Sequence, residues 1–244
     1  MVAEATVRPG LPAERVFYLS MVGALWAGVV LGFSRSFILR PLFPNAHGAP
    51  EPYFYAHGFL FLGWLALLAT QAGLVSAGNL RLHRRLGVAG VVMVPLMTVV
   101  ATVGGLIAAR RPGGFIDIPA PPLEFLIVPI TNIVAFVGLA GAALLLRGSP
   151  QTHKRLMLLA TIAIAEAAVA RWPVEAIATN PQIGFWVTCL YIVPLAVWDL
   201  TSRRRLHWAT LIGGAVVIAQ GPARDFATTP AWHAFATWAT GLLG

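Results

Sequence analysis

The chain is short of charge, shorter of acid, and almost without lysine or cysteine. Only 11% of its 244 residues are charged, where a soluble domain carries about a quarter. A water-soluble globule is therefore excluded. Lys154 is the one lysine, and it lies far from the last apolar run. A retinal Schiff base in a seventh helix, and with it a light-driven pump, is excluded. The single cysteine, Cys189, sits inside an apolar stretch, which leaves no intrachain disulfide and no cysteine-only metal cage. HExxH, the nucleophile elbow, the phosphate-binding loop and paired intramembrane aspartates are all missing, and the hydrolase and nucleotide chemistries they serve go with them.

Apolar residues are what the chain has in abundance: 58% hydrophobic, with a mean hydropathy of +0.77. A membrane span needs roughly 20 mostly apolar residues. Seven stretches qualify, about 16–34, 53–76, 86–109, 123–146, 154–172, 183–200 and 206–220. Turn signals separate them: Pro41, Pro44 and Pro50, then Gly78-Asn79, then Pro112-Gly113-Gly114 with Pro119 to Pro122, then Gly148-Ser149-Pro150 and Asn180-Pro181. Arg8 and Arg15 before the first run resemble a signal peptide. The run to Phe33 is longer than a signal core and no small-x-small site follows it, so we read it as a retained span. The expected fold is all-α, a polytopic transmembrane helix bundle forming one domain over residues 1–244.

Charge orients such a bundle. Arg8, Arg15, Arg81, Arg84, Arg85, Arg147, Lys154, Arg155, Arg203, Arg204 and Arg205 fall on one side; Arg35, Arg40, Arg110, Arg111, Arg171 and Arg224 fall on the other. The excess places the N-terminus in the cytoplasm of a bacterial inner membrane. Glu51, Asp117, Glu124, Glu175 and Asp225 lie outside. The net charge of +8 is thereby read as topology, with no nucleic-acid partner. Thr229 followed by Pro230 starts a last helix, about 229–243, carrying Trp232, His233, Phe235 and Trp238. It is too short to span, and its aromatics suit the membrane interface.

One phrase occurs twice. His83-Arg84-Arg85-Leu86 and His153-Lys154-Arg155-Leu156 open two apolar runs, 70 residues apart. Seven spans put both at the cytoplasmic mouth, with His207 opening the last run nearby. Imidazole ligates haem iron or copper through one nitrogen while the other is held by a neighbouring acceptor. His83 and His153 are thus candidate axial ligands of a haem b, with Arg84, Arg85 and Arg155 near its propionates. The competing reading is a basic helix start anchored to phosphate headgroups. His57, Trp64 and Gln71 recur every seven residues and form one helical stripe, either a wall for a ligand such as a quinone or an interhelical polar clamp. Glu166 stands well inside an apolar span and needs a partner there, which Asn132, Thr131 or Arg171 would supply. It is either a proton relay or a neutral acid bonded between helices. Arg171 lies five turns beyond His153 on the same face.

From His57 through Gln71 to Leu82-His83-Arg84-Arg85-Leu86-Gly87, then His153-Lys154-Arg155-Leu156-Met157 and Arg171, the chain resembles the bacterial DUF2306-type membrane proteins. It departs from them at Leu156, where an aromatic is common, and in its seventh span. It is also similar to cytochrome b561-type proteins, which place haem-ligating histidines at helix openings. That likeness implies one bis-histidine haem on His83 and His153, since Pro121-Pro122-Leu123-Glu124 offers His57 no partner. Span seven lacks the paired histidines of the seven-span hydrolases related to adiponectin receptors. The expected function is a haem-binding or redox membrane protein. An accessory subunit of a larger membrane complex, or a small-molecule or lipid transporter, stands as the alternative.

Overall fold

The computed structural model describes residues 12–43, 51–116, 118 and 120–243. Arg8, Pro44, Pro50, Asp117 and Pro119, named above, lie outside the described residues. The chain is helical, with no strand among the described residues: α1 (Pro12–Phe33), α2 (Pro52–Ser76), α3 (Leu80–Arg110), α4 (Pro122–Phe125), α5 (Ile127–Leu145), α6 (Pro150–Val169), α7 (Glu175–Thr179), α8 (Pro181–Cys189), α9 (Ile192–Arg203), α10 (Trp208–Ala223) and α11 (Pro230–Gly241). Among the described residues, five stretches are long and apolar enough to cross a membrane: Ala13–Ile38, Pro52–Ser76, Leu80–Arg110, Pro122–Leu145 and Pro181–Arg203. This is a multi-pass membrane protein.

Seven spans were expected, and the two beyond these five are α6 and α10. The α6 helix carries Lys154, Arg155 and Glu166, so its own composition is not that of a lipid-facing span. Sequestration explains the difference: thirteen of its 20 residues are buried. A helix wrapped by other helices has no need of an apolar surface all round. The α10 helix has 16 residues, about 24 Å, against a hydrocarbon layer of roughly 30 Å.

Proline and glycine set the element boundaries. Pro52, Pro122, Pro150, Pro181 and Pro230 each occupy the first turn of a helix, where the missing N–H costs nothing. Two expected spans are broken by the same rule acting inside them. Pro129 cannot donate to the carbonyl four residues back, and α4 ends at that residue, Phe125. Pro194 denies Leu190 its donor, and α8 ends just before it at Cys189. Gly78 closes α2 in the left-handed region, φ +76°, a conformation that glycine enters without steric penalty. Asn79 then caps α3 by accepting from the backbone N–H of Leu82 at 3.1 Å.

The α6 helix is the axis of the bundle. Its antiparallel neighbour α5 makes the most extensive helix pair, and α1, α8 and α10 complete its surround. At Gly32 of α1 a Cβ would lie 2.0 Å from the Ala168 carbonyl oxygen of α6, so only glycine permits this approach. Trp172 locks the same junction by donating Nε1–H to the Gly28 carbonyl at 2.8 Å. The last helix forms where expected, with Thr229 accepting from Trp232 N–H at 3.2 Å. It seats Ala236 and Ala239 against Leu106, Ala109 and Leu126, leaving Trp238 62% exposed.

Candidate functional site

His83 is the fourth residue of α3 and His153 the fourth of α6. The Asn79 side chain caps the start of α3, while α6 opens after Ser149, whose hydroxyl donates to Thr152 Oγ1 at 3.0 Å. The bundle brings their rings together: the centroids are 6.4 Å apart with planes at 85°. His153 Nδ1 is 2.8 Å from the Ala143 carbonyl oxygen. A carbonyl accepts, so this nitrogen carries a proton and donates it, leaving Nε2 as the nitrogen facing away from Ala143. The His83 ring lies against the backbone carbonyl of Gln71, and its Nδ1 is buried without a hydrogen-bond partner.

Beside the pair is a cavity of about 50 Å³ lined by Trp64, Leu67, Leu68, Gln71, Gly87, Gly90, Leu144, His153 and Met157. The Gln71 Oε1 atom is buried and unpartnered. Met157 follows His153 by four residues, which puts a thioether on the imidazole's own helical face. That spacing is plain in the sequence, yet a search for histidines and carboxylates passes over methionine.

No family model, no curated protein and no solved structure matches this chain. Its chemistry is read from the geometry alone.

A haem b between the two imidazoles meets one of its requirements and fails two. Two metal–nitrogen bonds of about 2 Å each set the ring centres about 6 Å apart, close to the observed spacing. The space does not fit: the cavity holds a water or two, whereas an organic ligand of that size takes roughly 300 Å³ or more. The propionate partners do not fit either. Arg84 is exposed and donates Nε–H back to the Leu80 carbonyl at 3.3 Å, and Arg85 is exposed as well. Arg155 turns the other way. Its Nε donates to Asp199 Oδ1 at 3.0 Å, a terminal nitrogen donates to the same carboxylate, and the other terminal nitrogen bonds Gln151. The residues present do not fit a haem.

Arg155 and Asp199 form an ion pair with both residues fully buried. Asp199 Oδ2 also accepts from Thr210 Oγ1–H and from the His207 backbone N–H. His207 in turn caps α10, its Nδ1 accepting from Ala209 N–H at 3.1 Å. Burial, then the positive charges of Arg155 and Arg203, hold the His207 imidazole below its ordinary value. This keeps it in the neutral form that can accept. Lys154 pairs with Glu14 of α1, which also accepts from Gln151 at 3.1 Å. Both cations adjacent to His153 in sequence are therefore neutralised.

The remaining candidates divide between the bundle core and its far end. Trp64 is 1% exposed and donates Nε1–H to Thr161 Oγ1 of α6 at 3.1 Å. It is a clamp between α2 and α6. His57 stacks on Phe61 at 4.3 Å, with Nδ1 buried and unpartnered. Arg171 donates to the Ala167 carbonyl at 2.6 Å and lies over the Phe33 ring. Glu166 finds its ion-pair partner in Arg224, rather than in Asn132, Thr131 or Arg171. Thr131 spends its hydroxyl on the Ile127 and Val128 carbonyls, and Asn132 Oδ1 has no partner. Among the described residues no three His, Cys, Asp or Glu side chains gather into a metal cage.

Proposed function

We propose that the chain is a copper-binding membrane protein that holds one Cu(I) ion between His83 and His153, with the Met157 sulfur as third ligand. The observation that carries the reading is the convergence of the two imidazoles at 6.4 Å on the face where Met157 and His153 line one cavity. Neutral imidazole suits copper, and a thioether selects its monovalent state over zinc and other harder ions. The Ala143 carbonyl orients the His153 ring and fixes its tautomer, as second-layer acceptors do for metal-bound histidines. Neutralisation of Lys154 by Glu14 and of Arg155 by Asp199 removes two of the repulsions a cation would meet on the His153 side. A monovalent ion in a mostly apolar pocket also has less hydration to lose than a divalent one. In this reading α6 and α10 cross the bilayer with the five apolar spans, and the positively charged histidine end faces the cytoplasm.

The test is Cu(I) titration of the detergent-purified protein against the chromophoric chelator bathocuproine disulfonate. One Cu(I) per chain is expected, with affinity falling 10- to 100-fold in His153→Ala and Met157→Leu. Copper retention that is absent, or identical in His153→Ala, overturns the proposal. A Soret band in the purified protein overturns it in favour of haem.

A further inference from the structure

The second polar station of the bundle lies at the other end of α6. The three-helix contact at Gly213 of α10 fixes its geometry: a Cβ there would meet Leu159 of α6 at 2.7 Å and Leu139 of α5 at 3.4 Å. Seven residues are close to two helical turns, so a step of seven returns to the same face. From Gly213 it leads to Gln220, and from Leu159 to Glu166. The α5 helix runs the other way, and seven residues back from Leu139 is Asn132. The parallel course of α6 and α10 is fixed at both ends, by Asp199 between Arg155 and Thr210 and by Glu166 on Arg224. Asn132, Glu166 and Gln220 thus arrive at one depth on the three faces that meet. Each is more than nine-tenths buried, at 8%, 6% and 4% exposure.

Three atoms here are buried with no hydrogen-bond partner: Asn132 Oδ1, Gln220 Nε2 and Arg224 Nε. Leaving three such atoms unpaired at one place is costly, and native interiors rarely do so. Their chemistry is complementary to one kind of guest. Gln220 Nε2 and Arg224 Nε are donors, while Asn132 Oδ1 and the second Glu166 oxygen are acceptors. The Glu166–Arg224 pair is neutral as a whole, so the guest has no charge to balance. We propose that Asn132, Glu166, Gln220 and Arg224 form a buried binding site for one water molecule. Water accepts from Gln220 and Arg224 and donates to Asn132 and Glu166, the usual three to four bonds of an internal water. No other neutral molecule so small offers two lone pairs and two protons. Water here also gives a carboxylate in mid-bundle a partner for proton exchange, on the same helix as His153 and 13 residues from it.

Two near-isosteric apolar substitutions test the site. With water bound, Gln220→Met and Asn132→Leu each strip a bond from a satisfied cluster, and Tm in detergent falls by about 2–8 °C. With the atoms truly unpaired, the same changes remove an unmet polar group, and Tm stays or rises. A readout on the wild-type protein does not depend on how the variants fold. Infrared difference spectra between H₂¹⁶O and H₂¹⁸O should show a shifted, strongly bonded O–H stretch that Gln220→Met abolishes. A Tm that holds or rises in both variants overturns the proposal, as does an ¹⁸O-insensitive wild-type spectrum.

Discussion

The two ends of α6 carry the same device, an arginine–carboxylate pair linking α6 to a later element, fully buried at Arg155–Asp199 and partly buried at Glu166–Arg224, but they complete it differently. The Arg155 guanidinium and the Asp199 carboxylate meet partners of their own in Gln151, Thr210 and the His207 backbone, with the Tyr18 hydroxyl near them left unpartnered. Around Glu166 and Arg224 three polar atoms are left without partners. A buried ion pair repays its desolvation only when its other lone pairs and protons are also satisfied. The first pair meets that condition with protein groups alone and reads as architecture, tying α6, α9 and α10 into one end. The second does not meet it with protein groups alone. The histidine pair lies next to the closed end, so it rests on a rigid base, as a metal site needs.

The sharpest way to break this contrast is to delete one partner at each end. Asp199→Ala leaves a fully buried guanidinium without its carboxylate and should cost about 3–5 kcal/mol. Thermal denaturation in detergent should show either a collapse in Tm or no folded protein. Arg155→Met combined with Asp199→Leu should recover most of the loss, because no unpaired charge remains. Glu166→Gln keeps a hydrogen-bonding group against Arg224 in a cluster already open to a small guest, and its Tm should fall by clearly less than that of Asp199→Ala. Equal losses at the two ends would erase the distinction.

Next in size is the α1–α6 junction. Gly32→Ala places a methyl where the Ala168 carbonyl oxygen already stands, and the helices must part. A loss of about 1–3 kcal/mol follows, measured as the Tm difference from wild type. Gly23→Ala in the same helix meets nothing within 4 Å and is the matched control. Smaller still is Trp64→Phe, which keeps the ring against Phe136 and removes only the donor to Thr161. Hydrogen bonds between membrane helices average about 0.6 kcal/mol, so a shift of a degree or two is expected.

What the sequence made legible was local. The apolar runs, the Thr229–Pro230 helix start and the turn at Gly78 depend on neighbours within a few residues, and they lie where patterning puts them. The breaks before Pro129 and Pro194 follow from the same local chemistry, yet a hydropathy window smooths over them. Pairing was not legible. Asp199 meets Arg155 across 44 residues and Arg224 meets Glu166 across 58. Charge counting placed Arg224 outside as a topology marker, although its guanidinium turns inward to the carboxylate. Arg155 was assigned to a cofactor because it follows a histidine. Helical geometry instead turns residues two apart by about 200°, which sends His153 toward α3 and Arg155 toward α9.

The finest test concerns His207, which joins the closed end to α10 through a lone pair. Its imidazole is held below the ordinary histidine value of about 6.5 by burial and by Arg155 and Arg203. Above that value it is neutral whether the chain is folded or unfolded, so pH has no leverage through it. As pH falls below 6.5 the unfolded chain takes up the proton first, and folding stability declines until the folded form is protonated too. Protonation also removes the acceptor that caps Ala209 N–H. His207→Asn supplies a cap that does not titrate. Wild-type Tm should therefore drop slightly more between pH 7.5 and 5.5 than that of His207→Asn. Parallel curves would mean that this end of the bundle is closed by the Arg155–Asp199 pair without help from the imidazole.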